Sequence, residues 1–146
     1  MKKILALISV IVLFTIGCNK EKPNPIEGAW DMTYAVKVAD DTVSLKYPGD
    51  VEGNQMKMWS KEHFVFVGLF RQDTTELDSF GGGTYTLEGN IYKENIEYHV
   101  TRSIVGKTNQ MYIRVSNDTL YQIWPVDDAG VFDKANYNEE RYIKLK

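Results

Sequence analysis

Apolar and polar residues alternate one for one along much of the chain from Ile26 onward, and Gly, Pro, Asn or Asp interrupts the alternation at short intervals. A strand turns successive side chains to opposite faces, so a period of two marks half-buried strands joined by turns. In the first segment Gly28, Trp30, Met32, Tyr34, Val36 and Val38 share one parity, and Glu27, Asp31, Thr33 and Lys37 fall on the other. Tyr47-Pro48-Gly49-Asp50 is a turn cluster, after which Gln55 to Ser60 carries Met56 and Met58 in alternation. His63 to Arg71 sets aromatics on one parity and Val65, Val67 and Leu69 on the other. With both faces apolar, its outer side is expected to meet a loop, a helix or a partner subunit.

Asp73 to Phe80 reads as a polar loop, and Gly81-Gly82-Gly83 leads into a strand from Thr84 to Glu88. Gly89-Asn90 supplies a hairpin turn into Ile91 to Val100, because both residues tolerate positive φ. Thr108 to Ser116 and Thr119 to Trp124 flank a second turn at Asn117-Asp118, and Pro125 stops the latter strand. Val126 to Asn138 is expected to be a long loop or a single helical turn, and Glu140 to Lys146 the last strand. Eight strands in up-and-down order shed their exposed edges when the last pairs with the first, so the expectation is an all-β fold, an eight-stranded antiparallel up-and-down barrel. An open sandwich is the alternative; it needs Greek-key crossovers that short turns do not favour.

Upstream of this domain, Met1-Lys2-Lys3 precedes an apolar run from Ile4 to Ile16 and then Gly17-Cys18. A basic start, a short apolar stretch and a small residue at a cleavage point describe a signal peptide over residues 1–17. At ~1.5 Å per residue the run spans roughly 20 Å, short of the ~30 Å hydrocarbon core that a permanent helix must cross. Thr15-Ile16-Gly17-Cys18 resembles a bacterial lipobox, with Thr15 where leucine is usual. That resemblance implies that Cys18 is lipidated and becomes the new N-terminus, anchoring the protein to a membrane. Cys18 is the sole cysteine of the 146 residues, so no intramolecular disulfide competes for it. Asn19 follows it, and the resemblance to Gram-negative lipoproteins then implies the outer membrane, because retention in the inner one commonly uses aspartate there. Residues 18–25, polar with two prolines, read as the lipidated cysteine and a flexible tether. Removing Lys2 and Lys3 from 17 basic residues leaves 15 against 20 acidic ones, a formal charge of −5. A mildly acidic chain is a poor fit to nucleic acid.

Gly28-x-Trp30 at the start of the first strand resembles the G-x-W of lipocalins and other calycin barrels. In those proteins the indole plugs the closed end and a basic residue of the last strand packs on it. The resemblance extends through Q-M-K-M, H-F-V-F-V, G-G-G-T-Y-T-L-E-G-N-I-Y-K-E-N-I-E-Y, V-G-K and the terminal E-R-Y-I-K to a group of small lipocalin-like secreted lipoproteins of unknown function. It covers nearly all of residues 26–146 and implies a fold. Lys144 or Arg141 is the expected basic partner of Trp30.

An eight-stranded barrel either fills its interior with side chains or holds one small ligand, and a domain this short favours a small cavity or none. Glu94 shares parity with Tyr92, Ile96 and Tyr98, so an inward face buries its carboxylate. A buried carboxylate needs a partner, either a ligand hydroxyl or amine, or a tyrosine hydroxyl from Tyr85 or Tyr112. The other register puts Lys93, Asn95, Glu97 and His99 inside. His63 and His99 are the only histidines, with no metal-ligand spacing and no nucleophile set beside a base. No cofactor or metal is therefore expected. The candidate ligand contacts are Trp30, Tyr34, Met56, Phe66, Tyr85, Glu94, Tyr98 and Trp124. The expected function is binding of a small apolar or amphipathic molecule, or a glycan fragment. The alternatives are a module docking another envelope protein through its outer face, and last an enzyme using Glu94.

Overall fold

The structure, a computed structural model, describes residues 24–146. The expected signal peptide, Cys18 and residues 19–23 of the tether lie outside the described residues. Among the described residues nine strands follow one another: β1 Gly28–Ala39, β2 Thr42–Tyr47, β3 Glu52–Trp59, β4 His63–Gln72, β5 Thr75–Glu88, β6 Ile91–His99, β7 Thr108–Ser116, β8 Thr119–Trp124 and β9 Tyr137–Lys144. A 3-10 turn, Arg102–Ile104, links β6 to β7. Every pairing is antiparallel, and β9 closes on β1 from Trp30↔Lys144 to Val38↔Tyr137. The molecule is thus a closed eight-stranded barrel with β2 as an additional strand.

Two segments differ from the sequence expectation. Asp73 to Phe80 is mostly strand: Asp73, at positive φ, turns the chain and β5 pairs with β4 from Gln72↔Thr75 onward. Its polar residues satisfy a strand because they lie towards the solvated rim. The unforeseen β2 folds back on β1 through Asp40 and Asp41, both in the left-handed region, the backbone that a tight hairpin demands. β1 is long enough to serve two partners along one edge, β3 at Gly28–Asp31 and β2 at Ala35–Ala39.

Two bulges decide which side chains face inward. Thr33 is extra on β1, since Met32 pairs with Tyr142 and Tyr34 with Arg141. Trp30 and Met32 therefore point into the core, whereas Tyr34 is turned outside against the Arg141 guanidinium, 4.4 Å from its ring. Glu97 is extra on β6, since Gly82 pairs with Tyr98 and Gly83 with Ile96. Glu94 and Ile96 stay inside, Tyr98 swings out to 69% exposure, and His99 returns to the interior beside the Phe66 ring. The triple glycine makes this possible. A Cβ on Gly81 would run into the Phe66 ring, and one on Gly83 into the Asn95 carbonyl oxygen.

One end of the barrel is plugged. Trp30 is buried, its indole N–H donates to the Ile26 carbonyl at 2.8 Å, and Lys144 Nζ lies 5.2 Å from its ring. Lys144 is thus the basic residue on the plug, and Arg141 packs outside. Asn24, expected to belong to the tether, is already docked here, donating to the Tyr85 hydroxyl at 2.7 Å.

Candidate functional site

Above the plug the barrel interior turns polar. β3 carries Gln55, Lys57 and Trp59 on its inner face, with Met56 and Met58 outside, the reverse of the expected orientation. Met56 pairs with Val67 of the exposed strip, so it is no interior contact. The inversion follows from Glu94. Turning the methionines inward would expel Lys57 and leave a buried carboxylate without a cation, a cost of several kcal/mol.

Lys57 and Glu94, both buried, form an ion pair at 2.5 Å. Lys57 Nζ also donates to Gln122 Oε1 at 3.3 Å, and the Tyr92 hydroxyl donates to the same Glu94 oxygen at 2.9 Å. The Trp59 indole N–H donates in turn to the Tyr92 oxygen at 2.7 Å. Four rings surround the ammonium, Trp59, Phe64, Phe66 and Tyr92, with centroids 5.0, 5.3, 5.6 and 5.9 Å away. Their negative faces add to the attraction that holds a desolvated cation. Tyr85 and Tyr112, the hydroxyls foreseen for Glu94, play no part in this network: Tyr85 donates to the Ser60 carbonyl at 2.6 Å, at the plugged end.

A second chain of hydrogen bonds starts from the same strand. Ser79 Oγ donates to Gln55 Oε1 at 2.6 Å, Gln55 Nε2 donates to the Tyr142 hydroxyl at 2.9 Å, and that hydroxyl donates to Glu140 Oε2 at 2.6 Å. Glu140 and Gln122 are cross-strand neighbours on the inner face. Burial raises the Glu140 carboxyl above its ordinary pKa; the Lys57 charge and the Tyr142 bond oppose the rise, and Glu94 adds to it. Burial likewise lifts both tyrosines, Tyr92 beside Glu94 and Tyr142 beside Glu140, so both remain donors. His99 is lowered, chiefly by burial, and its Nδ1 accepts the Thr101 amide N–H at 2.8 Å, which fits the neutral ring.

These groups line a cavity of about 220 Å³, with Phe66, Ile96, Met111 and Trp124 as apolar walls. Gln55, Ser79 and Glu140 also border a second hollow of about 270 Å³ towards β2, walled by Leu45, Tyr47 and Phe70. Each alone is smaller than the ~300–1,000 Å³ common for ligand sites, and together they fall in the lower half of that range. Of the sequence candidates, Phe66, Glu94 and Trp124 meet at this cavity. Trp30 and Tyr85 belong to the plug, and Tyr34, Met56 and Tyr98 face outward. Lys57, Gln122 and Glu140 were missed. The spacing of Lys57 and Trp59 was the available signal, because a lysine two residues from a core tryptophan shares its face. Among the described residues no cluster of three or more His, Cys, Asp or Glu side chains is placed to hold a metal ion.

No protein-family model, curated protein or solved structure matches this chain.

Proposed function

We propose that this chain is a lipid-anchored envelope protein whose barrel binds one small amphipathic molecule in its interior. The observation that carries the reading is the cavity of about 220 Å³ floored by the Lys57–Glu94–Gln122 network and walled by aromatic and aliphatic side chains. Fixed polar groups in an apolar hollow orient a ligand, and the size suits a molecule of around ten heavy atoms rather than a long-chain lipid. The anchor rests on the lipobox-like ending at Cys18 and on Asn19. Since Asn24 is bonded at the plugged end, and six residues reach at most ~20 Å, a lipid on Cys18 would hold the plug towards the bilayer and leave the opposite end away from it.

Mass spectrometry of small molecules released from the natively purified protein tests the binding reading. A compound recovered in near-stoichiometric amount, and lost from a Ser79→Phe variant that fills the junction of the two hollows, is the expected result. Repeated recovery of ligand-free protein that accepts no added compound would sink it.

A second reading has its own observation. Val65, Val67 and Leu69 are exposed on β4, and cross-strand partners Met58 and Phe80 extend the strip over β3 and β5. A continuous apolar face on a barrel wall suits docking of another envelope protein. A Val67→Lys variant that keeps its cavity ligand but loses a co-purifying partner would support it.

A further inference from the structure

We infer that the interior ligand is a small organic amine, bound as its cation, whose charged group is accepted by Glu140. The inference rests on the binding reading above and narrows it to one ligand chemistry. The cavity lining holds two carboxylates, Glu94 and Glu140, against one ammonium, Lys57. Those three are not equivalent. Lys57 lies 2.5 Å from Glu94, and the oxygen that receives it also receives the Tyr92 hydroxyl, so the Glu94 charge is already met by a cation of the chain itself. Glu140 receives a single hydrogen bond, from Tyr142 to Oε2, and among the described residues nothing donates to Oε1.

A carboxylate at a partly desolvated wall with an oxygen that receives no hydrogen bond attracts a donor, and a charged donor most strongly. An anionic ligand has no equivalent place, because the one cation at the cavity is already engaged by Glu94 and Gln122. The cage of rings around Lys57 shows how this interior treats an ammonium group, and Phe66, one of those rings, also lines the cavity beside Trp124. A second ammonium at Glu140 would bring the interior to charge balance, its apolar body lying against Phe66, Ile96 and Trp124. Within the hollow of about 220 Å³ that body is a single ring or a short branched chain.

Three probes of one shape and different charge test this: benzylamine, benzyl alcohol and benzoate, titrated by calorimetry into the whole lipid-free domain, residues 18–146. Benzylamine is expected to bind, benzyl alcohol about ten- to hundredfold more weakly, and benzoate not at all, the gap being that of one charge-assisted hydrogen bond. Glu140→Gln keeps the acceptor for Tyr142 and removes the charge. It is expected to bring benzylamine down to the level of the alcohol while the unfolding transition stays cooperative. Equal binding of amine and alcohol, preference for benzoate, or an unchanged benzylamine affinity in E140Q overturns the amine assignment and leaves interior binding intact. Failure of all three probes to bind overturns the amine assignment, and the binding reading falls with it only if the natively purified protein is also free of ligand.

Discussion

The two halves of this barrel are built from the same strands and solve different problems. At the plugged end Ile26, Trp30 and Leu120 are fully buried, and backbone carbonyls answer the Trp30 indole and the Tyr85 hydroxyl, the latter also receiving the Asn24 amide. In the other half the interior holds Lys57, Glu94, Gln55 and Gln122, each answered by a side chain from a distant strand. Dispersion and apolar burial stabilise the first half and tolerate little change of volume. The second half gains less from burial, since an ion pair roughly offsets its own desolvation, and it keeps open space instead. On the binding reading proposed above, stability and recognition are separated along one barrel axis.

That separation is breakable by mutation. Trp30→Ala removes the plug and should cost about 3–5 kcal/mol in urea unfolding. If the protein remains folded, its affinity for a cavity ligand should change far less than its stability; equal losses would mean the halves are not independent. Lys57→Met leaves Glu94 buried and unpaired, with an expected loss of about 3–5 kcal/mol. The double variant Lys57→Met with Glu94→Leu should recover most of that loss in the same unfolding assay, because it removes both charges together.

Glu140→Gln is smaller and opposite in sign. A carboxyl whose folded-state pKa lies above its unfolded value binds more protons when folded. Its stabilising contribution is complete below the ordinary value of 4.5 and is lost as the pH rises through the folded value. The ligand-free variant should therefore melt a few degrees higher than the parent near pH 7.5, and the difference should shrink towards pH 4. His99 runs the other way. Its lowered pKa contributes stability that is present above 6.5 and lost as the pH falls through the folded value, so a His99→Gln variant should flatten the acid side of the melting profile. At the plug rim, Lys144→Ala should cost only about 0.5–1 kcal/mol in the unfolding assay, the range for an exposed cation over an indole.

Much of this architecture is written locally. Asn117-Asp118 and Gly89-Asn90 turn where their backbone preferences allow, and the strands flanking Asn117-Asp118 have the bounds that their alternation predicts. Trp30 and Lys144, at opposite ends of the domain, meet as the barrel resemblance implied. The candidate site was much less legible. Alternation marks two faces of a strand but carries no sign, and Met56 and Met58 looked like the inner face of β3 by hydropathy alone. Tyr34 and Tyr98 were misplaced for another reason: a single extra residue, Thr33 in one strand and Glu97 in the other, inverts every side chain beyond it.

What the sequence by itself determined, then, is the all-β class, most of the turns, closure of the ends and the identity of the plug. The class, the closure and the turns follow from a period of two and from residues whose φ preferences act over a few positions; the plug is what the barrel resemblance of Gly28-x-Trp30 implied. Only the tertiary structure decided which charges share the interior. Lys57 belongs inside because Glu94, 37 residues away, must be neutralised there. Glu140 joins them because closure of β9 on β1 brings it to the same cavity. Pairing energies between distant strands, and the bulges that set their phase, lie beyond what any local window of sequence contains.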